Sequence, residues 1–179
     1  MRLRRLEKKD AVYMLEWMKE PDAVRIFRNN FTEMTIQQCE KFIQNSKTDC
    51  IDDGEVDLAV TDENDEYMGT ISLKNIDMRA GSAEYAISMR KCARGTGIAL
   101  EATNELLDLA FVKWKFNRVY LNVLEHNVRA IKFYEKVGFV YEGTFRKHLR
   151  INGELVNLRW YSILKDEYEG KEASNEKNN

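Results

Sequence analysis

Hydrophobic positions along the chain change from helical spacing to a spacing of two residues, and back again. After a short strand at 2–6, helical patterns are predicted from Asp10, as the capping residue, to Lys19 and over Asp22–Arg28. Thr35-Ile-Gln-Gln38 is a capping box that predicts a third helix, ending near Ser46. The pattern then alternates in three short strands separated by Asp, Asn and Gly turns, which predict an antiparallel meander at 55–61, 67–76 and 83–89.

The second half of the chain predicts helices between strands. An apolar helical pattern at 97–113 leaves only a narrow polar stripe, so this helix is expected to be buried on most of its circumference. A strand at Arg118–Leu124 and a helix at Asn127–Val137, with Gly138 just past its end, follow. Asn152-Gly153 then predicts a hairpin between the long strands 139–151 and 155–164.

This element order predicts an α/β (α+β) fold with a mixed central sheet flanked by helices. One strand–helix–strand crossover, expected to be right-handed, joins the strand at 83–89 to that at 118–124. A doubly wound Rossmann sheet is excluded because the early strands have no helices between them. The length of 179 residues suits a single domain, predicted at 1–168, and the polar segment 169–179 is predicted to be a disordered tail.

Composition narrows the functional classes. The chain has 28 basic and 30 acidic residues, which argues against a dedicated nucleic-acid binder. No apolar run approaches the ~20 residues that span a bilayer, and the N-terminus lacks the apolar core of a secretory signal. A cytoplasmic protein without membrane partners is therefore expected. The three cysteines and two histidines form no recognised metal motif, so no metal site is predicted.

Charge is distributed unevenly along this nearly neutral chain. Residues 49–66 contain nine acidic and no basic residues, whereas 90–150 contain twelve basic and six acidic residues. A solvated acidic hairpin would account for the first run. Together the two segments are typical of a protein that joins a polyanionic cofactor to a cationic acceptor.

A glycine-containing turn precedes the long helix and carries the first chemical signal. In Arg94-Gly95-Thr96-Gly97-Ile98-Ala99, the glycines allow close approach of a ligand to the backbone. Amide groups at the positive end of the helix dipole then favour a phosphate or pyrophosphate, with Arg94 as a countercharge. The alternative is a glycine turn that only begins a helix.

Two motifs resemble those of the GNAT superfamily of N-acetyltransferases. Arg94-x-x-Gly97-x-Ala99 is similar to its pyrophosphate loop, and the segment from Asn127 to Phe139 is similar to its N-x-x-A-I-x-x-Y-x-x-x-G-F signature. The likeness covers residues 2–165. It is closest to the ribosomal-protein and polyamine acetyltransferase branch, through the segments Ala83-Glu-Tyr-Ala-Ile87, Glu142-Gly143 and Ile151-Asn-Gly-Glu154.

The resemblance implies a fold with a splayed strand pair that binds acetyl-CoA. The pyrophosphate would be held by the loop residues Arg94, Gly95, Thr96, Gly97, Ile98 and Ala99. Backbone groups of Ile87, Ser88 and Met89 would pair with the pantetheine arm. Asn127 would bind the cofactor or serve only as a helix N-cap. Arg129 and Lys132 would reach the adenosine phosphates or be solvated helix charges.

The resemblance also implies catalytic roles. Tyr134 is expected to protonate the leaving CoA thiolate, and packing in the core is the alternative. Alternation in the strand 83–89, and not the resemblance, makes Glu84 the candidate base, because it shares a face with the small residues Ala86 and Ser88. Glu84 could instead attract the ammonium group, be structural or face solvent. Glu33 could bind a cationic substrate, but Asn75 stands where a second carboxylate would be expected, which weakens the case for polyamine specificity and an associated metal site.

We therefore predict an acetyl-CoA-dependent N-acetyltransferase in which a primary amine attacks the thioester directly in a ternary complex. A polyamine, an amino sugar and a protein N-terminus all remain open as acceptors. Cys92 has no neighbouring histidine in the sequence, which disfavours an acetyl-cysteine intermediate. A non-catalytic acetyl-CoA-binding module on the same fold is the alternative function. A homodimer, or a higher homo-oligomer, is the expected assembly.

Overall fold

A mixed sheet of seven strands, ordered β1-β2-β3-β4-β5-β7-β6, organises the part of the chain that the structure describes. The structure is a computed structural model that describes residues 1–21, 31, 33–49 and 54–176, with side chains up to residue 170. The helix predicted at Asp22–Arg28 lies outside these residues. The strands are β1 Arg2–Arg5, β2 Gly54–Thr61, β3 Tyr67–Asp77, β4 Ser82–Met89, β5 Arg118–Leu124, β6 Val140–Ile151 and β7 Glu154–Leu164.

Helices cover both faces of this sheet. They are α1 Ala11–Met18, α2 Ile36–Asn45, α3 Ile98–Asp108, α4 Val128–Val137 and α5 Lys165–Glu176, and a π-helical turn at Leu109–Lys113 extends α3. The Thr35 hydroxyl accepts the Gln38 N–H and the Gln38 side chain accepts the Thr35 N–H, so the predicted capping box is present. Gly138 adopts φ +111° at the end of α4, as a left-handed C-terminal residue should.

Two predictions at helix ends differ from the structure. Asp10 occupies the position before α1, but its carboxylate does not cap that helix. It instead accepts the Glu7 N–H and pairs with Arg4 at 2.8 Å. The segment 169–179 is predicted to be disordered, whereas its described part, up to Glu176, belongs to the helix that begins at Lys165. The Tyr168 ring at the start of that helix lies 5.2 Å from the ring of Phe111, which fastens the helix to the core.

The hydrophobic core is divided by the sheet into two clusters. The larger cluster joins one face of the strands to α3 and α4, with Leu106, Phe111 and Leu121 among its fully buried members. The smaller cluster packs α1 and α2 around Met14, Trp17 and Tyr67. Alternation along the strands therefore feeds both layers, which is typical of a sheet covered on both faces.

The β4–α3–β5 connection creates the opening that becomes the site. β4 and β5 are the parallel pair in this sheet, and their pairing extends only over 82–84 and 118–120. Beyond it, β4 continues to Met89 and β5 to Leu124 without mutual pairing. Both strands are held on their outer sides, β4 by β3 and β5 by β7, so the gap between them is rigidly bordered.

Candidate active site

A cleft of about 1090 Å³ opens where β4 and β5 separate. Its walls come from β4 residues Glu84–Met89, from the loop before α3, from β5 and α4, and from the β6–β7 hairpin. Because the strands diverge, the cleft receives side chains from both faces of the sheet. Such a gap in a buried sheet exposes backbone N–H and C=O groups that a ligand can use.

The predicted phosphate loop lies at one end of this cleft. Gly95 and Gly97 have φ angles of +81° and +93°, in the left-handed region that favours glycine, and α3 begins directly after Gly97. A Cβ atom at either position would meet nothing within 4 Å, so their outer side is open. Among the described residues, no hydrogen bond is found for the N–H groups of Gly95, Thr96 and Gly97. The loop therefore offers free donors at a helix N-terminus, where an anion is favoured.

Arg94 lines the same end of the cleft but also has a protein partner. One guanidinium nitrogen lies 2.5 Å from a carboxylate oxygen of Glu20, just after α1, and both side chains are largely buried. This ion pair ties the loop to the helical layer on the other side of the cleft. It also reduces the positive charge that Arg94 can offer to an incoming phosphate, which the sequence could not show.

Glu84 and Tyr85 diverge from neighbouring positions on β4 to opposite faces of the sheet. The Tyr85 hydroxyl is buried against α3, 2.7 Å from the hydroxyl of Thr103. The Glu84 carboxylate lies in the cleft on the other face, where it accepts hydrogen bonds from the side-chain amides of Asn75 and Asn122. Ile87, Ser88 and Met89 continue along the cleft wall, as the resemblance implied.

Tyr134 reaches the cleft from α4, on the same side as Tyr85. Its side chain is only 9% exposed, and its ring lies 6.0 Å from the rings of both Tyr85 and Phe139. Burial raises the pKa of Tyr134 to about 12, so the phenol stays protonated across the physiological range. In the described part of the chain its hydroxyl has no hydrogen-bond partner, which leaves the proton free for a ligand.

The remaining predicted residues divide between the cleft and the surface. Asn127 accepts the Ala130 N–H at 3.2 Å as the N-cap of α4 and also lines the cleft, so both roles predicted for it are structurally compatible. Arg129 lines the cleft as well. Glu33, Lys132 and Cys92 are exposed and are not among the cleft-lining residues that the structure describes.

A bulge in β6 adds residues that the sequence analysis missed. Phe145 pairs with Leu158 and Leu149 with Val156, so the intervening segment 146–148 faces the single residue Asn157. Lys147 has φ +51°, and its N–H donates to the Asn157 side chain at 2.8 Å. The bulge accompanies the entry of His148 and Leu149 into the cleft wall, beside Trp160 of β7. Regular alternation cannot reveal a residue that a bulge redirects.

Comparisons with known proteins agree with this geometry. Residues 1–140 match the family model of the acetyltransferase (GNAT) domain. The chain is 29% identical over 171 residues, 94% of both sequences, to the uncharacterised N-acetyltransferase p20 of Bacillus licheniformis. It is 36% identical over 103 residues to the putative ribosomal N-acetyltransferase YdaF of Bacillus subtilis, covering 58% of this chain and 56% of YdaF.

Solved structures extend the likeness to the whole fold. The spermidine N-acetyltransferase of Vibrio cholerae in complex with CoA and spermine superposes with a TM-score of 0.81 and 25% identity, covering 94% of this chain and 97% of that one. Among the described helices, none combines the length and the apolar composition that a bilayer crossing requires. The matching domain model, the sheet with its splayed strands and the named relatives lead to one assignment: this chain is an acetyltransferase of the GNAT domain family.

Proposed function

We propose that this enzyme transfers the acetyl group of acetyl-CoA to a primary amine bound in the cleft between β4 and β5. The observation that carries the proposal is the placement of Glu84 and Tyr134 on opposite sides of the gap where these strands separate. An acceptor and a thioester that meet in this gap would have a carboxylate on one side and a phenol on the other. These two groups could then assist direct attack by the amine, one as a base and the other as a proton donor.

The cleft suits acetyl-CoA as co-substrate. The open left-handed turn with free N–H donors supports pyrophosphate binding by the loop Arg94–Ala99, and Arg129 adds positive charge to the cleft wall. Lys132 is exposed outside the cleft lining and would contribute only to parts of the cofactor that extend beyond it. The unpaired edge of β4 can add the pantetheine arm as a pseudo-strand through Ile87, Ser88 and Met89. Asn127, at the N-terminus of α4, would contribute a further polar contact.

The reaction follows from the two sides of the gap. The acceptor nitrogen, after losing a proton to Glu84 or to water, attacks the carbonyl carbon of the thioester. The C–N bond forms, the C–S bond breaks, and the departing thiolate takes its proton from Tyr134. The nitrogen loses its second proton to solvent as the neutral amide forms, and the phenolate of Tyr134 takes a proton back from solvent. A phenol with a pKa near 12 is a weak donor to a thiolate. If the CoA thiol has the reference pKa of a cysteine thiol, about 8.5, complete transfer is uphill by roughly 5 kcal/mol. Hydrogen bonding to the developing charge is therefore the larger part of the benefit.

The acceptor is proposed to be a primary amine that arrives as a cation. The structural neighbour named for CoA and spermine supports a polyamine, and the name of YdaF, a putative ribosomal N-acetyltransferase, supports a ribosomal acceptor. Glu84 supplies the negative charge inside the cleft. Glu33 is exposed and would contribute only if the acceptor extends beyond the cleft wall.

A screen by thiol release tests the proposal. Purified protein is supplied with acetyl-CoA and, separately, with spermidine, a nucleotide-linked amino sugar and a short peptide that has a free N-terminus. One class should release CoA at a rate that depends on amine concentration. Tyr134→Phe should lower this rate. Tyr141→Phe, at a half-exposed tyrosine of β6, is the matched control and should keep the rate. Binding of acetyl-CoA without transfer to any of these amines would instead support the non-catalytic module.

We also propose that residues 1–168 form one catalytic domain and that the protein is a cytoplasmic homodimer. β6 is the terminal strand of the sheet and exposes about half of each of Val140, Tyr141 and Phe145. An edge strand with such apolar exposure is a favourable surface for a second copy. Light scattering should show a dimer at micromolar concentration, and a monomer at every concentration would contradict this assembly.

A further inference from the structure

We propose that Asn75 and Asn122 are positioning residues that hold the Glu84 carboxylate as an anionic anchor for the ammonium form of the acceptor. This inference rests on the proposed function. It assigns to two neutral side chains the task of fixing a charge in the cleft without cancelling it. The substrate class that follows is an amine that binds as a cation before it is deprotonated.

The two amides bind different oxygens of the same carboxylate. Nδ2 of Asn75 donates to one Glu84 oxygen at 2.7 Å, and Nδ2 of Asn122 donates to the other at 2.5 Å. These two bonds fix the orientation of the carboxylate plane. Each carboxylate oxygen can accept a further hydrogen bond, so the anchor retains capacity for a ligand.

The backbone places both asparagines for this purpose. Asn75 lies where the β3–β4 register shifts between Lys74 and Asp77, and its φ of +46° is a left-handed conformation that asparagine tolerates. Glu84 and Tyr120 form the last register pair before β4 and β5 separate, and Asn122 lies two residues beyond Tyr120 on β5. The two donors therefore come from the strands on either side of Glu84, and one of them from the wall of the cleft itself.

The charge of Glu84 is not neutralised by a neighbouring cation. Lys74 is the register partner of Glu84, yet its ammonium forms an ion pair with Glu55 at 3.7 Å. Within the described ranges no lysine or arginine forms an ion pair with Glu84. The charge of Glu84 affects the neighbouring Tyr120. The pKa of Tyr120 is raised mainly by burial and secondly by the negative charge of Glu84.

Aromatic rings complete the surroundings of the anchor. Tyr120 and Trp160 stack with their ring centres 5.9 Å apart, and Trp160 lines the cleft together with Glu84 and Asn122. A carboxylate beside aromatic faces is a favourable setting for an ammonium group, because both attract positive charge. This combination favours an ammonium anchor over a carboxylate that only fills a polar gap in the sheet.

The test separates acceptor binding from chemistry. Asn122→Leu removes one donor at similar volume, and Asn75→Gly removes the other while keeping the left-handed backbone accessible. Steady-state rates are measured with spermidine or, where spermidine is not turned over, with a short peptide that has a free N-terminus. Each variant should raise the KM for the amine by about tenfold, the lower end of what a hydrogen bond to a charged group supports, and leave the KM for acetyl-CoA unchanged. Asn104→Leu, at an exposed position of α3, is the control.

A double-mutant cycle decides whether the asparagines act through Glu84. Asn122→Leu in a Glu84→Gln background should cause less than a twofold further change in the amine KM. Equal additional losses in both backgrounds, or a loss confined to kcat or to the KM for acetyl-CoA, would overturn the inference. Absence of turnover by the unmodified protein with every amine would refute the proposed function instead. In that case, the binding of spermidine to the CoA-loaded protein is measured by calorimetry instead. Equal affinity in the unmodified protein and in both asparagine variants would overturn the inference about the anchor.

Discussion

Replacing Tyr134 with phenylalanine isolates the proposed proton donor from its packing role. The substitution removes one hydroxyl from a ring that is 9% exposed and keeps the edge contacts of that ring with Tyr85 and Phe139. The hydroxyl has no hydrogen-bond partner among the residues that the structure describes, so no protein hydrogen bond is lost. The free energy of unfolding should therefore change by less than about 0.5 kcal/mol, below the 0.5–1.5 kcal/mol typical of a lost hydrogen bond.

The effect on turnover should be much larger than the effect on stability. General acid catalysis typically contributes about 10²–10⁴-fold, most when the pKa of the acid is near the working pH. Because burial raises the pKa of Tyr134 to about 12, we expect a loss near the lower limit, about 10²-fold. This loss corresponds to about 3 kcal/mol in the activation free energy.

Rapid-quench measurement of a single turnover is the appropriate assay, because it observes the chemical step even where product release limits kcat. Acetyl-CoA affinity is measured in parallel by calorimetry and should change less than twofold. Tyr141→Phe controls for the loss of a tyrosine hydroxyl outside the cleft. A single-turnover rate for Tyr134→Phe equal to that of the unmodified protein would refute the reasoning, and the tyrosine would then be a core residue only.

Two further substitutions, and a pH series on Tyr134→Phe, test other parts of the account. Gly97→Val should weaken acetyl-CoA binding by at least about tenfold, because it places a side chain on the open side of a turn with φ +93°; a folded variant with normal calorimetric affinity would contradict this. Between pH 8 and 11.5, the free energy of unfolding of the unmodified protein should fall by up to about 2 kcal/mol relative to Tyr134→Phe, because the Tyr134 phenol ionises near pH 10 in the unfolded chain and only near 12 in the folded one. Parallel curves for the two proteins would count against the burial of the phenol. Burial raises the pKa of Asp57, so the stability associated with its protonated form is present at low pH and lost as pH rises; the unmodified protein should gain stability relative to Asp57→Asn between pH 7 and 4, and an opposite trend would disprove the assigned direction.

Local pattern was sufficient for most of the fold. Alternation predicted β2, β3 and β4 nearly to their ends, and the capping box and Gly138 marked the start of α2 and the end of α4. These signals are local, since a strand period or a cap depends on residues a few positions apart. The helix at Lys165–Glu176 escaped the composition argument because its attachment is long-range: the Tyr168 hydroxyl donates to Asp108 at 2.7 Å.

The residues of the candidate site that belong to a motif could be predicted from the sequence. The contacts between side chains that are far apart in the sequence could not. The glycine turn itself indicated a phosphate loop, which the resemblance reinforced, and the role of Tyr134 came from the resemblance alone. The structure brings Glu84 and Tyr134 to one cleft. The pairing of Arg94 with Glu20 and the two asparagines around Glu84 depend on contacts between elements far apart in sequence. From the sequence, Asn75 is only an amide where a carboxylate would be expected. Its role becomes visible when the structure places its amide within hydrogen-bond distance of Glu84.

Acetyl transfer in a ternary complex is tested most directly by mixing the protein with acetyl-CoA, with and without the acceptor identified by the screen, and following both free thiol and the mass of the protein. The account predicts that CoA is released only when the amine is present, that the acetyl group appears on the amine, and that the mass of the protein is unchanged throughout. Release of one equivalent of CoA without amine, with the acetyl group retained on the protein, would contradict direct attack and establish a covalent intermediate.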